Sequence, residues 1–158
     1  MSHSLHFISG LPRSGSTLLG ALLRQNPRFE ASMSSPMGAL VSANLGLMGP
    51  GTEAGLLVEE AQKPRILRGL FDAFYADSPA EVVFDTNRAW CARMPLLREM
   101  FPAARVIACV RDVSWIMDSL ERIIRRQPFQ PTRLFHGQEN ATVYSRVETL
   151  ARADRLVG

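Results

Sequence analysis

Three short runs of apolar residues stand out along the chain, at residues 5–9, 81–85 and 105–110. Runs of this length predict buried β-strands. The segments between them repeat their apolar positions at helical spacing. Because buried strands alternate with helices, we expect a parallel sheet covered by helices on both faces, which is a three-layer α/β/α fold.

The helical periodicity predicts five helices, at residues 16–25, 64–75, 91–100, 113–124 and from about residue 141 onward. Pro64 suits the first turn of its helix, and Asp112 is placed to cap the helix that follows it. Residues 31–52 carry no charge but contain two prolines and four glycines, so we expect a packed irregular segment there. Residues 127–140 predict a loop.

Length and composition favour one domain that spans residues 1–158. Apolar residues make up 46% of the chain and charged residues 21%, which is typical of a packed core. The sequence lacks an apolar run long enough for a membrane span, and its N-terminus does not resemble a signal peptide. We therefore expect a cytoplasmic protein.

The charged residues narrow the choice of partners only slightly. The net charge is +3, and every basic residue except Lys63 is arginine. Bias of a GC-rich genome explains this pattern, and so does recognition of phosphate or sulfate by guanidinium groups. The positive excess is too small and scattered for nucleic-acid binding. Cys91 and Cys109 form neither a disulfide framework nor a metal-ligand set, so we expect a reducing compartment and no metal.

The number of strands is small for this class of fold. A mean sheet has about 5–6 strands, and only three are evident here. The sequence also stops two residues after Leu156, without a further closing element. We therefore expect the N-terminal portion of a larger domain or a truncated protein, and we leave open whether it forms a homo-oligomer.

The first candidate site is the turn that follows the first strand. Gly10 and Gly15 have the spacing of a phosphate-binding loop, but Ser16 stands where such a loop has lysine. The glycines allow successive N–H groups to point at an anion, and the next helix adds unpaired amides. The predicted anion ligands are Arg13, Ser14, Gly15, Ser16 and Thr17. The alternative is a Gly/Ser-rich turn that binds nothing.

The second candidate site follows the third apolar run. Arg111 emerges at the carboxyl end of a predicted strand, where open parallel sheets bind their ligands. Ser119 lies two helical turns later, close to Asp112 around the helix axis, so its hydroxyl can face back toward Arg111. The alternative is a surface ion-pair partner and an unrelated serine.

Together the two segments resemble a known family. Residues 12–19 (PRSGSTLL) resemble the 5′-phosphosulfate-binding loop of sulfotransferases that use 3′-phosphoadenosine 5′-phosphosulfate (PAPS). Residues 106–112 (VIACVRD), with Ser119, resemble the 3′-phosphate-binding strand and helix of the same enzymes. The similarity runs through most of the chain and is nearest to bacterial sulfotransferases distantly related to the tyrosylprotein sulfotransferases.

The resemblance implies the P-loop-like sulfotransferase fold and transfer of a sulfuryl group from PAPS to a hydroxyl acceptor, leaving 3′-phosphoadenosine 5′-phosphate (PAP). Arg13 and the loop amides would hold the 5′-phosphosulfate, while Arg111 and Ser119 would hold the 3′-phosphate. The acceptor could be a small molecule, a peptide or a glycan. No metal is implied. We expect Trp90 and Trp115 to pack in the core rather than to stack on adenine.

The catalytic base is harder to assign. The tyrosylprotein enzymes have a glutamate where this sequence reads Ser34-Ser35. Asp85, at the end of a predicted strand, is the leading carboxylate candidate; the alternative is a residue that caps the turn at Asn87. Arg88 lies near the position of a lysine that contacts the bridging oxygen of the donor in relatives. Glu30 is a weaker candidate base, and His136 lies in a loop from which it could approach an acceptor.

Two other functions remain open from the sequence. A P-loop kinase of nucleotides or small molecules shares the loop outline, although the lysine and a convincing magnesium-binding aspartate are missing. A truncated, inactive paralogue that serves as a binding module is the non-enzymatic alternative.

Overall fold

A computed structural model describes residues 3–126 of the chain. The strands of this part form one parallel sheet in the order β2-β3-β1-β4. Their bounds are β1 (Ser4–Gly10), β2 (Phe29–Ala31), β3 (Val82–Thr86) and β4 (Val106–Cys109). In the central strand β1, Ile8 lies opposite Thr86 of β3 and Gly10 lies opposite Cys109 of β4. All four strands therefore end at one edge of the sheet, which we call the carboxyl edge.

Helices cover both faces of this sheet. Their bounds are α1 (Ser16–Leu23), α2 (Met37–Leu47), α3 (Glu53–Leu57), α4 (Lys63–Phe74), α5 (Met94–Met100) and α6 (Val113–Arg126), and a 3-10 turn at Cys91–Arg93 leads into α5. Within residues 3–126, none of these helices has both the length and the apolar composition needed to cross a lipid bilayer.

Alternation along β1 divides the core into two layers, because successive side chains of a strand point to opposite faces. Phe7 is fully buried on the face covered by α2, α4 and α5. Its ring centroid lies 5.4–5.9 Å from those of Phe71, Trp90 and Phe101. Ile8 points to the other face, where it packs under α1 with Ala31, Phe84, Leu19 and Leu23.

The structure confirms the predicted α/β/α architecture. The three predicted strands lie within a residue or two of their expected positions, and Pro64 lies in the first turn of α4. Asp112 caps α6 as predicted, since its Oδ1 accepts a hydrogen bond of 2.8 Å from the backbone N–H of Ser114. The predicted loop at residues 127–140 and the helix from about residue 141 lie outside the described residues.

The prediction of an irregular segment at residues 31–52 is wrong. This segment contains the end of β2, all of α2 and the turn before α3. Pro36 precedes α2 without interrupting it, and Gly38 is needed because an added Cβ would lie 2.4 Å from Cγ of Asn87. Packing of Met37 and Val41 in the core therefore outweighs the low helix propensity of the glycines. The sequence also missed β2, which has three residues and shows no alternation.

The aromatic cluster gives a direct test of the core. We expect Phe71→Ala to lower the free energy of unfolding by about 3–5 kcal/mol, because it leaves a cavity among three rings that cannot collapse. Phe74→Ala, on the same helix but 48% exposed, is the matched control and costs about 1 kcal/mol or less. Urea unfolding followed by circular dichroism measures both. Equal losses would contradict this placement of the core.

Candidate functional site

The loop at residues 10–17 turns through two residues with positive φ. Arg13 has φ 70° and Gly15 has φ 107°. Glycine adopts this conformation freely, whereas a residue with a side chain loses about 1–3 kcal/mol. The N–H of Ser14 donates to the carbonyl of Leu11 at 3.1 Å, and the N–H of Leu19 donates to the carbonyl of Gly15 at 3.0 Å. The amides of the first turn of α1 consequently have no partner within their own helix.

Close packing holds this loop against the end of β4. A Cβ added to Gly10 would lie 2.5 Å from the carbonyl oxygen of Cys109 and 2.6 Å from Oγ of Ser14. Glycine at position 10 is therefore required by the approach of two backbone segments. The position of the loop relative to β4 is fixed by this contact.

The structure brings the two predicted anion-binding segments together. Nε of Arg13 donates to Oγ of Ser119 at 3.0 Å, across a separation of 106 residues. Nη1 of Arg111 donates to the backbone carbonyl of Arg13 at 3.1 Å. Arg13 and Arg111 are both exposed and Ser119 is half-buried. Two guanidinium groups and one hydroxyl thus form a single cluster beside the loop, which we call the arginine cluster.

Asp112, which follows Arg111, forms hydrogen bonds with neutral groups of Ser114. Asp112 accepts hydrogen bonds from the backbone N–H and the hydroxyl of Ser114 at 2.8 and 2.5 Å, and these bonds lower the pKa of its carboxyl group. The guanidinium carbon of Arg111 lies 5.9 Å from the ring centroid of Trp115. The prediction that Trp115 packs in the core is wrong: its side chain is 59% exposed, since α6 buries Ile116 and Met117 instead.

The predicted hydroxyl ligands of the loop differ in exposure. Oγ of Ser14 is buried and has no hydrogen-bond partner among the described residues. Ser16 is half-buried at the start of α1, and Thr17 is exposed in the same turn. All three lie in or next to the first turn of α1, which carries the unpaired amides.

A second element of the site is the turn that follows β3. Oγ of Ser9 donates to the carbonyl of Arg88 at 3.0 Å and accepts from the N–H of Cys91 at 3.1 Å. The N–H of Asn87 donates to the carbonyl of Ile8 at 3.0 Å. These three bonds fix the turn to the end of β1. The side chain of Arg88 is exposed, so this turn presents a cation at the carboxyl edge.

The same turn holds the beginning of α2. Nδ2 of Asn87 donates to the carbonyl of Ser35 at 3.1 Å, and the N–H of Ser35 donates to the carbonyl of Thr86 at 2.9 Å. Residues 33–38 therefore lie at the carboxyl edge, on the β3 side of the loop. The arginine cluster lies on the β4 side. The segment on the β3 side has no charged residue between positions 31 and 52. Arg88 lies in the neighbouring turn, and Nη2 of Arg93 donates to Oγ of Ser42 at 3.0 Å, so both sides of the loop carry cations.

Comparison with known proteins decides the family. A model of the sulfotransferase family matches residues 6–157, which is nearly the entire chain. The chain belongs to the sulfotransferase family. No individual curated protein matches it significantly. Membership of this family supports sulfuryl transfer as the general reaction. The loop and the arginine cluster lie at the carboxyl edge, where parallel sheets bind ligands.

Asp85 of this sulfotransferase lies in the core. Its carboxylate accepts hydrogen bonds from the hydroxyl of Ser35 at 2.8 Å, the hydroxyl of Tyr75 at 2.7 Å and Nε1 of Trp90 at 2.7 Å. The residue is completely buried. Burial raises the pKa of the Asp85 carboxyl group, and the three hydrogen bonds oppose that rise. The arrangement favours a structural role over that of a base, and it differs from a cap of the turn at Asn87.

The other candidate bases occupy different places. Glu30 accepts a hydrogen bond from the hydroxyl of Ser78 and lies opposite Val83, three residues before β3 ends. At about 3.3 Å per residue, it is roughly 10 Å from the carboxyl edge. His136 lies outside the described residues. Trp90, as predicted, is fully buried in the core.

Residues 3–126 contain no group of three or more His, Cys, Asp or Glu side chains that could hold a metal ion. Cys91 is exposed and Cys109 is half-buried, and both are free thiols. Burial raises the pKa of Cys109.

Ser9 and Asn87 are the two positioning residues that the sequence reading did not identify. Ser9 shares the α4 face of β1 with Phe7, and it is 1% exposed. A buried serine on the apolar face of a central strand needs a hydrogen-bond partner, so the position of Ser9 in the first apolar run could have indicated this role from the sequence. No comparable signal distinguished Asn87, since its partners come from β1 and from the segment before α2.

The buried Asp85 predicts a characteristic dependence of stability on pH. Its pKa is higher in the folded protein than in the unfolded chain, so the folded state takes up a proton first. As the pH falls through the raised pKa toward the ordinary aspartate value of about 3.9, this group adds to the free energy of unfolding. As the pH rises through the folded pKa, that contribution is lost.

We expect Asp85→Asn to lower stability by roughly 2–3 kcal/mol at neutral pH, because its amide N–H₂ cannot accept the bonds that the carboxylate accepts. The deficit relative to the unsubstituted protein should widen as the pH is lowered. Urea unfolding across the acid range measures it, and the exposed Asp77→Asn serves as the matched control. A deficit that stays constant with pH would contradict the raised pKa.

Proposed function

We propose that this sulfotransferase transfers a sulfuryl group from PAPS to a hydroxyl acceptor, with the donor bound across the loop and the arginine cluster. The hydrogen bonds that join Arg13 to Ser119 and Arg111 to the Arg13 carbonyl carry the proposal. They unite a loop suited to one anion and a strand end suited to another. A nucleotide with phosphates at both its 5′ and 3′ positions needs two such groups at a fixed distance.

The loop is suited to the 5′-phosphosulfate. The unpaired amides at the start of α1 and the hydroxyls of Ser14, Ser16 and Thr17 are donors to an oxyanion. Arg13 adds a charge, and it keeps a conformation that is costly for a side-chain-bearing residue. Within residues 3–126 no other non-glycine residue has a positive φ. Strain at a ligand-facing arginine supports a role in binding.

The 3′-phosphate is assigned to Arg111 and Ser119. The Ser119 hydroxyl accepts from Arg13, so its own O–H stays available as a donor to an anion. Arg111 uses Nη1 for the loop carbonyl, which leaves further N–H groups on its guanidinium for a phosphate. Adenosine bound in this way spans β1 and β4.

This orientation of the donor puts its sulfuryl group on the β3 side of the loop. Arg88 is exposed there on a turn fixed by Ser9 and Asn87. The acceptor oxygen attacks sulfur in line, the bond from sulfur to the bridging oxygen breaks, and PAP leaves. Arg88 would stabilise the negative charge on the bridging oxygen, and a base would take the acceptor proton. The described residues offer no exposed carboxylate that geometry favours for this second role.

The first test concerns the loop cation. We expect Arg13→Ala to weaken PAP binding by about 10- to 100-fold, because a charge-assisted bond to phosphate contributes roughly 1.5–3 kcal/mol. Arg24→Ala, an exposed arginine at the end of α1, should leave the affinity unchanged. Isothermal titration with PAP, in buffer without magnesium, measures all three proteins. An Arg13 variant with wild-type affinity would refute the assignment of the loop.

The second test separates the two phosphates. Arg111→Ala should reduce affinity for PAP by about 10- to 100-fold while affinity for 5′-AMP changes little, since only PAP has the 3′-phosphate. The matched control is Arg105→Ala, which removes an exposed arginine from the opposite end of β4. Competition titrations with the two nucleotides give the ratio of affinities. If the preference for PAP survives in Arg111→Ala, the 3′-phosphate is bound elsewhere.

A further inference from the structure

An exposed indole lies beside the arginine cluster. Trp115 is 59% exposed on α6, whereas Trp90, the other tryptophan of the chain, is fully buried. The guanidinium carbon of Arg111 lies 5.9 Å from the centroid of the Trp115 ring. At this distance a cation is attracted by the negative face of an aromatic ring. The contact therefore joins a solvent-exposed ring to one of the two cations of the cluster.

Trp115 lies between the two residues to which the 3′-phosphate is assigned. Ser119 is four residues after Trp115 on α6, so their side chains share one face of the helix. Arg111 precedes the first residue of α6 by two positions, and the side chains of a helix lean toward its N-terminus. The indole therefore extends from the row that carries Ser119 toward Arg111, where the ring contact is observed.

The side chain of Arg111 has few other contacts that fix its orientation. Its Nη1 donates to the carbonyl of Arg13 at 3.1 Å, and a guanidinium held by one hydrogen bond can still rotate about it. None of the ion pairs among residues 3–126 includes Arg111. Arg13 carries a second positive charge in the same cluster, and repulsion between the two cations favours movement of Arg111 into solvent. The face of the indole opposes this movement.

We propose that Trp115 is a positioning residue, which holds the Arg111 guanidinium through a cation–π contact in the orientation that binds the 3′-phosphate of the donor. The proposal rests on the proposed function, which assigns that phosphate to Arg111 and Ser119. An indole has no hydrogen-bond acceptor, so the contact leaves the other N–H groups of Arg111 available to the phosphate. Fixing the side chain before the donor arrives reduces the entropy lost on binding.

Stacking of the indole on the adenine base is the alternative role, and it predicts a different result. A base contact is made by PAP and by 5′-AMP alike, because both contain adenine. A residue that acts through Arg111 affects only PAP, because 5′-AMP has no 3′-phosphate. The ratio of the two affinities therefore separates the roles, and the 5′-AMP affinity also shows that a variant is folded.

The first experiment is isothermal titration of Trp115 variants with both nucleotides. We expect Trp115→Leu to weaken PAP binding by about 2- to 5-fold, which corresponds to about 0.5–1 kcal/mol for a cation–π contact at an exposed site. Affinity for 5′-AMP should be unchanged. Trp115→Phe keeps a ring and should restore most of the PAP affinity. The matched control is Val113→Ala, 57% exposed on the same helix, which should alter neither affinity.

A double variant tests whether Trp115 acts through Arg111. In the Arg111→Ala protein there is no guanidinium left to position, so adding Trp115→Leu should not weaken PAP binding further. A further loss in the double variant would show that the indole contacts the nucleotide itself, and it would overturn the positioning role.

Fluorescence tests the ring contact without any nucleotide. Because Trp90 is fully buried, quenching by acrylamide reports mainly on Trp115. Arg111→Ala should increase the quenching constant, since the guanidinium no longer covers part of the ring. Arg105→Ala, which removes an exposed arginine from the other end of β4, should leave the constant unchanged. A constant that is the same in wild type and Arg111→Ala would contradict the contact and the proposal with it.

The titrations also separate this proposal from the donor assignment. If the wild-type protein does not prefer PAP to 5′-AMP, the assignment of the 3′-phosphate is wrong and the role of Trp115 is wrong with it. If the wild type prefers PAP and Trp115→Leu keeps the full preference, the donor assignment stands and the role of Trp115 alone is wrong. Equal losses of PAP and 5′-AMP affinity would show that the indole binds the adenine instead.

Discussion

Parallel pairing of β1 with β3 and β4 at the same time is the constraint on which the site depends. It makes three chain segments leave the sheet at one edge: the loop after Gly10, the turn after Thr86 and the arginine after β4. Gly10 then allows the loop to touch the end of β4, where a side chain would not fit. With this spacing Arg111 reaches the carbonyl of Arg13, and Arg13 reaches Ser119 on α6.

Much of the fold was predictable from periodicity, because β1, β3, β4, α4 and α6 each have a pattern that only one kind of element satisfies. The elements that were missed have no such pattern. Strand β2 is three residues long, and its position depends on pairing with β3. Helix α2 has apolar residues on nearly all sides, so no amphipathic period marks it, and its glycines argued against a helix. Tertiary packing decides both.

The candidate site, too, could be predicted only in part from the sequence. Motif order and strand ends predicted the loop of Arg13 and the pair of Arg111 and Ser119 as two anion sites at the same edge of the sheet, and the structure brings them into one cluster. Their mutual hydrogen bonds do not follow from these motifs, because they depend on the left-handed conformation of Arg13. Asp85 was chosen as a base because it ends a strand. Asp85 and Val83 are two residues apart on β3, so their side chains point to the same face of the sheet. Both are buried, and in the core Tyr75 and Trp90 donate hydrogen bonds to Asp85.

The bond between Arg13 and Ser119 has a consequence for how such a protein can change over evolutionary time. A phosphate-binding loop with lysine at position 16 would have to fit the same contacts, because Arg13 of the present loop is hydrogen-bonded to Ser119, 106 residues away on α6. A new loop would leave Ser119 and Arg111 without their partners, and a new helix would release the loop. The loop and helix α6 are therefore coupled through this bond, and a substitution in either segment changes the surroundings of the other.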